Sequence, residues 1–353
     1  MGVRGYLELG YCNVFIFMQT RRQMSFQSNL KARRGHWIIP LALFFIITIY
    51  LLRRPDRVPR NDVIRLFDVP SSRFANFNNE TGVDEVIVPN IVHFIVFENP
   101  KIAFVHFICI LAAMKNQNPE KIYFHTNVAQ FTGEYWPRLL KIKKFRDIVE
   151  IRKAEMPEEI FGQKIQESMR IFHGGDIARI RILMEYGGIY LDNDSYIVRS
   201  LDKYRKFEMA IGWDQDQFLG TQIIVAHKNA RFLSMWLHTY DGAYYTDRWY
   251  FNAGELPTTL VLYKKPELVH RVKVLFGNDC KFIYKLFQKY WSGWKDNYAF
   301  HLLARREHQS VLESISAEAK YPVDFNEHNV QNYPITFREM VNIVLDYEKI
   351  NSE

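Results

Sequence analysis

The run HGGDIARIRILMEYGGIYLDND, residues 173–194, decides how this chain folds. Its apolar positions Ile177, Ile180, Leu183 and Met184 recur at helical spacing, which predicts a helix over about Phe172 to Tyr186 with an inward-facing stripe. Asp176 and Arg179 stand three apart on that helix and share a different, polar face, with His173 at the helix start. Gly187-Gly188 stops the helix. The chain then enters Ile189-Tyr190-Leu191, a strand apolar enough to be buried, and Asp192 and Asp194 stand at its carboxyl edge. In an open α/β sheet the ligand crevice lies off that edge. Two aspartates one residue apart present hard oxygen ligands to Mn²⁺ or Mg²⁺, an ion that can hold a diphosphate.

The tripeptide alone proves little. With 17 aspartates in 353 residues, D-x-D arises roughly once by chance, and a second copy stands at Asp214-Gln215-Asp216. Context separates the two. Only the Asp192 copy follows a helical Asp/Arg pair, a Gly-Gly stop and a buried strand.

Outward from this segment, apolar runs alternate in type. Strands are expected at Ile91 to Phe97, Lys121 to Thr126, Ile148 to Arg152, Glu208 to Trp213 and Thr221 to Ala226. Helices are expected at Ala103 to Lys115, Glu134 to Lys141, Ala230 to Tyr240 and Thr258 to Tyr263, with an aromatic-rich loop from Tyr244 to Phe251. This alternation predicts an α/β domain over residues 86–308, built on a mostly parallel sheet covered on both faces. Residues 309–353 read as a C-terminal extension.

Upstream, Trp37 to Leu52 (WIIPLALFFIITIYLL) carries no charge and is bracketed by Lys31, Arg33 and Arg34 on one side and Arg53 and Arg54 on the other. Sixteen residues make a helix of about 24 Å, enough for a thin bilayer with arginines reaching the interface. We expect residues 1–36 to be a cytosolic tail, 37–52 a transmembrane signal anchor and 53–85 a polar stem. Residues 1–60 hold ten basic side chains against Glu8 and Asp56, which leaves 36 basic and 37 acidic residues beyond them. The globular part is neutral, so the net charge of +7 is no argument for nucleic acid. Charge does not orient the anchor, because basic residues flank it on both sides. The sequon Asn79-Glu80-Thr81 marks an expected glycan, whereas Asn193-Asp194-Ser195 falls inside the candidate site. Cys109 and Cys280 permit one disulfide, or Cys109 is simply buried.

The spacing His173-x-x-Asp176-x-x-Arg179-x-x-x-Leu183-x-x-x-Gly187-Gly188-x-Tyr190-x-Asp192-x-Asp194 resembles the DXD sugar-binding glycosyltransferases of glycosyltransferase family 32. That group contains initiation-specific α-1,6-mannosyltransferases and the related α-1,4-galactosyl- and α-1,4-N-acetylglucosaminyltransferases. Looser likeness runs from Val88-Pro89-Asn90-Ile91-Val92-His93 to Asn297-Tyr298-Ala299-Phe300-His301. The resemblance implies a GT-A fold and a single-pass type II protein of the Golgi membrane with its catalytic domain lumenal. It also implies a nucleotide-sugar donor, with a UDP-sugar favoured over GDP-mannose, a glycan or glycolipid acceptor, and retention of anomeric configuration. Carried onto this sequence, Asp192 and Asp194 look like metal and nucleotide-sugar ligands, and Asp176 and Arg179 like the pair that holds the donor sugar. His93 would face the nucleotide and His301 would complete the Mn²⁺ (or Mg²⁺) site. Two departures stand out: Gly174-Gly175 replaces the small-Ser pair of many relatives, and Gly254-Glu255-Leu256-Pro257 stands where several have Gly-Pro. No catalytic nucleophile can be named. A catalytically silent, membrane-anchored carbohydrate-binding or scaffold protein of the same fold is the alternative reading.

Overall fold

The computed structural model describes residues 73–279, 281–303, 326–332 and 335–353. The tail, the anchor Trp37 to Leu52, most of the stem and Cys280 lie outside them. Among the described residues no helix is long and apolar enough to cross a membrane.

The sheet strands are β1 (Ile91–Val96), β2 (Lys121–Thr126), β3 (Val149–Lys153), β6 (Gly188–Leu191), β8 (Met209–Gly212), β9 (Ile223–Ala226) and β10 (His270–Val272); β4 (Glu159–Ile160) and β5 (Gln163–Lys164) form a separate short hairpin. Their order is β10-β8-β9-β6-β1-β2-β3. β3-β2-β1-β6 and β10-β8 pair in parallel, as the alternation of elements predicts, but β9 runs antiparallel to both neighbours. The reason is length. Residues 213–222 joining β8 to β9 are too few for the crossover that a parallel return needs, so the chain doubles back.

From β1 the chain passes through the helix Phe104–Ala112 to β2 on one side. The helix Arg170–Tyr186 instead returns it to β6 on the other side of β1. The order reverses between β1 and β6, so the crevice at their carboxyl ends is the topological switch point. One core, with Phe107, Ile108, Phe124 and Leu191, lies under the helix Phe104–Ala112. The second, with Ile177, Ile180, Leu183 and Ile224, lies under the helix Arg170–Tyr186. Gly187 and Gly188, at φ +66° and +115°, make the turn into β6. A Cβ on Gly188 would stand 2.6 Å from the Ile91 carbonyl oxygen, so nothing larger fits.

Both ends of the described chain belong to this domain. Residues 73–83, assigned above to the stem, pack against it: Phe74 is 3% exposed and Asn79 only 2%. Asn79 donates to Glu208 Oε2 at 3.1 Å and to the Glu267 carbonyl at 3.0 Å. Its amide is occupied inside the fold and leaves no room there for the expected glycan. Glu208 is in turn held by Arg231 at 2.8 Å. The helix Ile335–Asn351 is likewise part of the core rather than an extension, since Phe337, Met340, Val341 and Val344 are fully buried. It packs on the helices Phe104–Ala112 and Lys281–Gln288.

Candidate functional site

β6 delivers the aspartates and the ribbon of β7 (Ser195–Ile197) with β11 (Ala299–His301) completes the cluster. His301 pairs with Ser195 across this antiparallel ribbon, and the Leu302 amide donates to the Asp194 carbonyl at 2.9 Å. His301 Nε2 thereby lies 3.2 Å from Asp194 Oδ1 and 3.9 Å from Asp192 Oδ2. One ligand atom from each of Asp192, Asp194 and His301 falls within 4.8 Å of the others, the sort of group that holds a metal ion. Two carboxylate oxygens and one imidazole nitrogen suit Mn²⁺ well and leave room for further oxygen ligands. His301 is 8% exposed, so its imidazole is a sheltered ligand.

Asp176 and Arg179 reach the same place from the helix Arg170–Tyr186. Their face is polar, as expected, but it looks into the cavity rather than into solvent, and each is 8% exposed. Arg179 Nη2 contacts Asp176 Oδ1 at 3.0 Å, and its Nη1 lies 3.4 Å from Asp192 Oδ1. Nη1 also donates to the Thr221 carbonyl at 2.8 Å, and the guanidinium stacks over Tyr190, 4.9 Å from the ring centre. The pair is thus both an ion pair and part of the cavity surface. Burial pushes the Asp176 carboxyl up to about 7; Arg179 pulls it back and Asp192 adds to the rise.

Three contributions escaped the sequence. The Tyr190 hydroxyl donates to Asp192 Oδ1 at 2.8 Å and orients that carboxylate; strand alternation places residues 190 and 192 on one face, so the signal was there. The Gln222 carbonyl accepts from the Asp192 amide at 2.9 Å through the reversed strand β9. Trp249 and Tyr250 form a wall that no local pattern ties to residue 192. Together these groups enclose a cavity of about 420 Å³ at the switch point, a size suited to a small-molecule ligand. Phe97, Asn99 and His106 line it on the β1 side, and Phe172, Gly175 and Trp249 on the other.

Other candidates lie elsewhere. His93 is fully buried in the middle of β1, with Nδ1 3.0 Å from His125 Nε2 and Nε2 2.7 Å from the Gly187 carbonyl. It braces the glycine turn from beneath and does not reach the cavity. His173 is inside its helix rather than capping it, with Nδ1 2.7 Å from the Tyr244 hydroxyl. Asp214 is spent on the Val274 amide in a turn beyond β8, which removes the second D-x-D from contention. Asn193 donates to the Ile95 carbonyl at 2.8 Å. Cys109 is buried and free.

The two buried imidazoles carry a pH dependence. Burial, with the His125 charge next, lowers His93 to about 3; burial, with Arg152 next, lowers His125 to about 4. Unfolded histidines bind protons near pH 6.5, so between there and about 4 the unfolded state holds more protons than the folded one. Stability is therefore complete above pH 6.5 and falls on acidification, by up to about 1.4 kcal/mol per pH unit for each ring. We expect His125→Gln to flatten this slope in urea midpoints measured from pH 7 to pH 4.5. An unchanged slope would mean that the His125 ring does not resist protonation.

The described architecture is mixed α/β, as the sequence implies. Residues 105–211 match the family described as a glycosyltransferase sugar-binding region containing a DXD motif. The chain is also similar to Glucan organizing enzyme 1 of Cryptococcus neoformans var. grubii, at 24% identity over 174 residues, covering 44% of this chain and 45% of that protein. The match thus spans less than half of that relative. Among solved structures it is similar to the galactosyltransferase LgtC in complex with donor and acceptor sugar analogs (12% identity, TM-score 0.36, 60% of this chain and 87% of that one). It is also similar to the WbbM bifunctional glycosyltransferase (11% identity, TM-score 0.42, 94% and 64%). The family match contains Asp176, Arg179, Asp192 and Asp194, the residues that converge on the cavity.

Proposed function

We propose that this chain is a metal-dependent, retaining glycosyltransferase of GT-A type that moves a sugar from a nucleotide donor, a UDP-sugar before GDP-mannose, to a glycan or glycolipid hydroxyl. The observation that carries the reading is the convergence of Asp192, Asp194 and His301 within 4.8 Å beside the Asp176/Arg179 pair. In the reaction the bond between the sugar C1 and the diphosphate breaks, a bond from C1 to the acceptor oxygen forms, and the hydroxyl proton is released. A divalent ion held by Asp192, Asp194 and His301 would supply positive charge for the departing diphosphate. Tyr190 fixes the Asp192 carboxylate and Arg179 ties it to the helix. Asp176 and Arg179 present one acceptor-rich and one donor-rich group to sugar hydroxyls and hold the donor for attack. The resemblance and the run Trp37 to Leu52 support placing this activity at the lumenal face of the Golgi membrane.

Incubating the folded protein with Mn²⁺ and a panel of nucleotide sugars tests the reading. Binding, hydrolysis or transfer of at least one donor is expected; failure of all of them sinks it. His301 carries a narrower expectation, measured across a Mn²⁺ titration. His301→Ala should raise the Mn²⁺ concentration for half-maximal activity about tenfold, with activity partly restored at high Mn²⁺. Lowered thermal stability with an unaltered Mn²⁺ dependence would make His301 a core residue instead.

A further inference from the structure

The helix Arg170–Tyr186 contains two adjacent glycines with different reasons to exist. A Cβ on Gly174 would lie 3.0 Å from Met156 Cγ and 3.2 Å from the Pro157 carbonyl oxygen, so a side chain there would crowd both. Gly175 is also buried, yet a Cβ on it would meet nothing within 4 Å. Neither packing nor a left-handed φ requires it, and glycine inside a helix costs stability. What Gly175 does face is the cavity, and the stretch of lining that it shares with Phe172, Trp249 and Tyr250 forms one arm of it.

That arm has an aromatic end. Phe172 lines it together with Trp249 and Tyr250 from the aromatic-rich loop, and the rings of Phe172 and Trp249 meet edge to face at 4.1 Å. The loop is held in place. Asn252 accepts from the Tyr245 amide at 2.9 Å and donates to the Ala243 carbonyl at 2.7 Å, while the Tyr250 hydroxyl donates to the Leu219 carbonyl. Phe172 precedes Asp176 by one helical turn and Arg179 by about two, so the aromatic end and the Asp176/Arg179 pair line the same cavity along one face of the helix. The opposite side of the cavity, at the β1 end, carries Asn99 and His106 and lies at the switch point where a nucleotide is expected.

We propose that the arm formed by Gly175, Phe172, Trp249 and Tyr250 is the acceptor subsite, and that it takes a pyranose ring of a glycan with its apolar C–H face against the aromatics. The assignment rests on the transfer reading above. Aromatic rings suit this occupant because one face of a pyranose is lined with C–H groups while its rim carries hydroxyls. A preset loop gives up little freedom on binding.

The test uses the full chain in a sugar-free zwitterionic detergent. Saturation-transfer NMR monitors the methyl glycosides of galactose, glucose, mannose and N-acetylglucosamine, with UDP and Mg²⁺ present. Calorimetry follows UDP·Mg²⁺ alone. At least one glycoside should receive saturation on its ring C–H protons. Trp249→Ala and Gly175→Ala should each weaken that glycoside at least tenfold and leave UDP·Mg²⁺ affinity within threefold. Gly175→Ala should at the same time raise the denaturation midpoint, which separates a filled arm from a damaged fold. The proposal is overturned if no glycoside binds while UDP·Mg²⁺ does, or if both substitutions leave glycoside binding intact. It is also overturned if Trp249→Ala weakens UDP·Mg²⁺ as much as the glycoside, since the arm would then serve the nucleotide. Glycoside binding that depends on Trp249 without any UDP·Mg²⁺ binding would instead sink the transfer reading and leave a sugar subsite standing.

Discussion

Replacing Asp192 or Asp194 by alanine is expected to abolish metal-dependent donor binding and to lower transfer by on the order of 10³-fold, with little change in stability. The size follows from charge: an ion stabilising a departing diphosphate is worth several kcal/mol, and in the proposed function these two residues would supply its anionic ligands. The fold should tolerate the change. Asp192 already shares Arg179 with Asp176, so deleting one carboxylate leaves Arg179 and Asp176 as a matched pair at 3.0 Å. Asp214→Ala serves as the control, because that carboxylate binds the Val274 amide away from the cavity. Calorimetric titration with the donor and Mn²⁺ distinguishes the two D-x-D copies. Equal losses at Asp192 and Asp214 would refute the choice between them.

Arg179→Met is expected to damage stability and activity together. It removes the cation that faces both Asp176 and Asp192, along with the donor to the Thr221 carbonyl. Breaking a buried ion pair on one side typically costs about 3–5 kcal/mol. Asp176, already raised by burial, would respond by holding its proton more tightly. Adding Asp176→Asn removes the stranded carboxylate and should recover most of the denaturation midpoint. It should not recover donor binding, because the pair proposed to hold the sugar hydroxyls is still missing. This double-variant cycle separates the structural share of the pair from its proposed functional share. Arg179→Met with wild-type stability and donor affinity would remove the residue from both roles.

The two results follow from a segment that was almost wholly legible. The helix at Arg170–Tyr186 begins two residues before its expected start, and β2 falls on the expected residues. Such elements are written locally, in a 3.6-residue apolar repeat, a glycine stop and an apolar strand, and each signal lies within a few residues of the structure it specifies. The orientation of β9 was legible only in part. Its apolar run marks a strand, but direction depended on how few residues connect it to β8.

Long-range placement was of another kind. His93 and His301 both stand in short apolar strand-like runs, and both were read toward the ligand. Pairing decides between them: β11 joins β7 and brings His301 to Asp194, whereas His93 sits mid-strand with its ring turned under the Gly187 carbonyl. Asn79 shows the same limit, since its polar neighbours suit a stem, and only the tertiary partners Glu208 and Glu267 draw it inside. By itself the sequence determined the α/β class, the helix that carries Asp176 and Arg179, and the strand that ends in Asp192 and Asp194, because propensity and periodicity act between near neighbours. Only the tertiary structure decided which histidine joins Asp192 and Asp194, which aromatic residues line the cavity beside Gly175 and why His93 stands away from it, because contacts between distant residues are set by packing and strand pairing that no local pattern records.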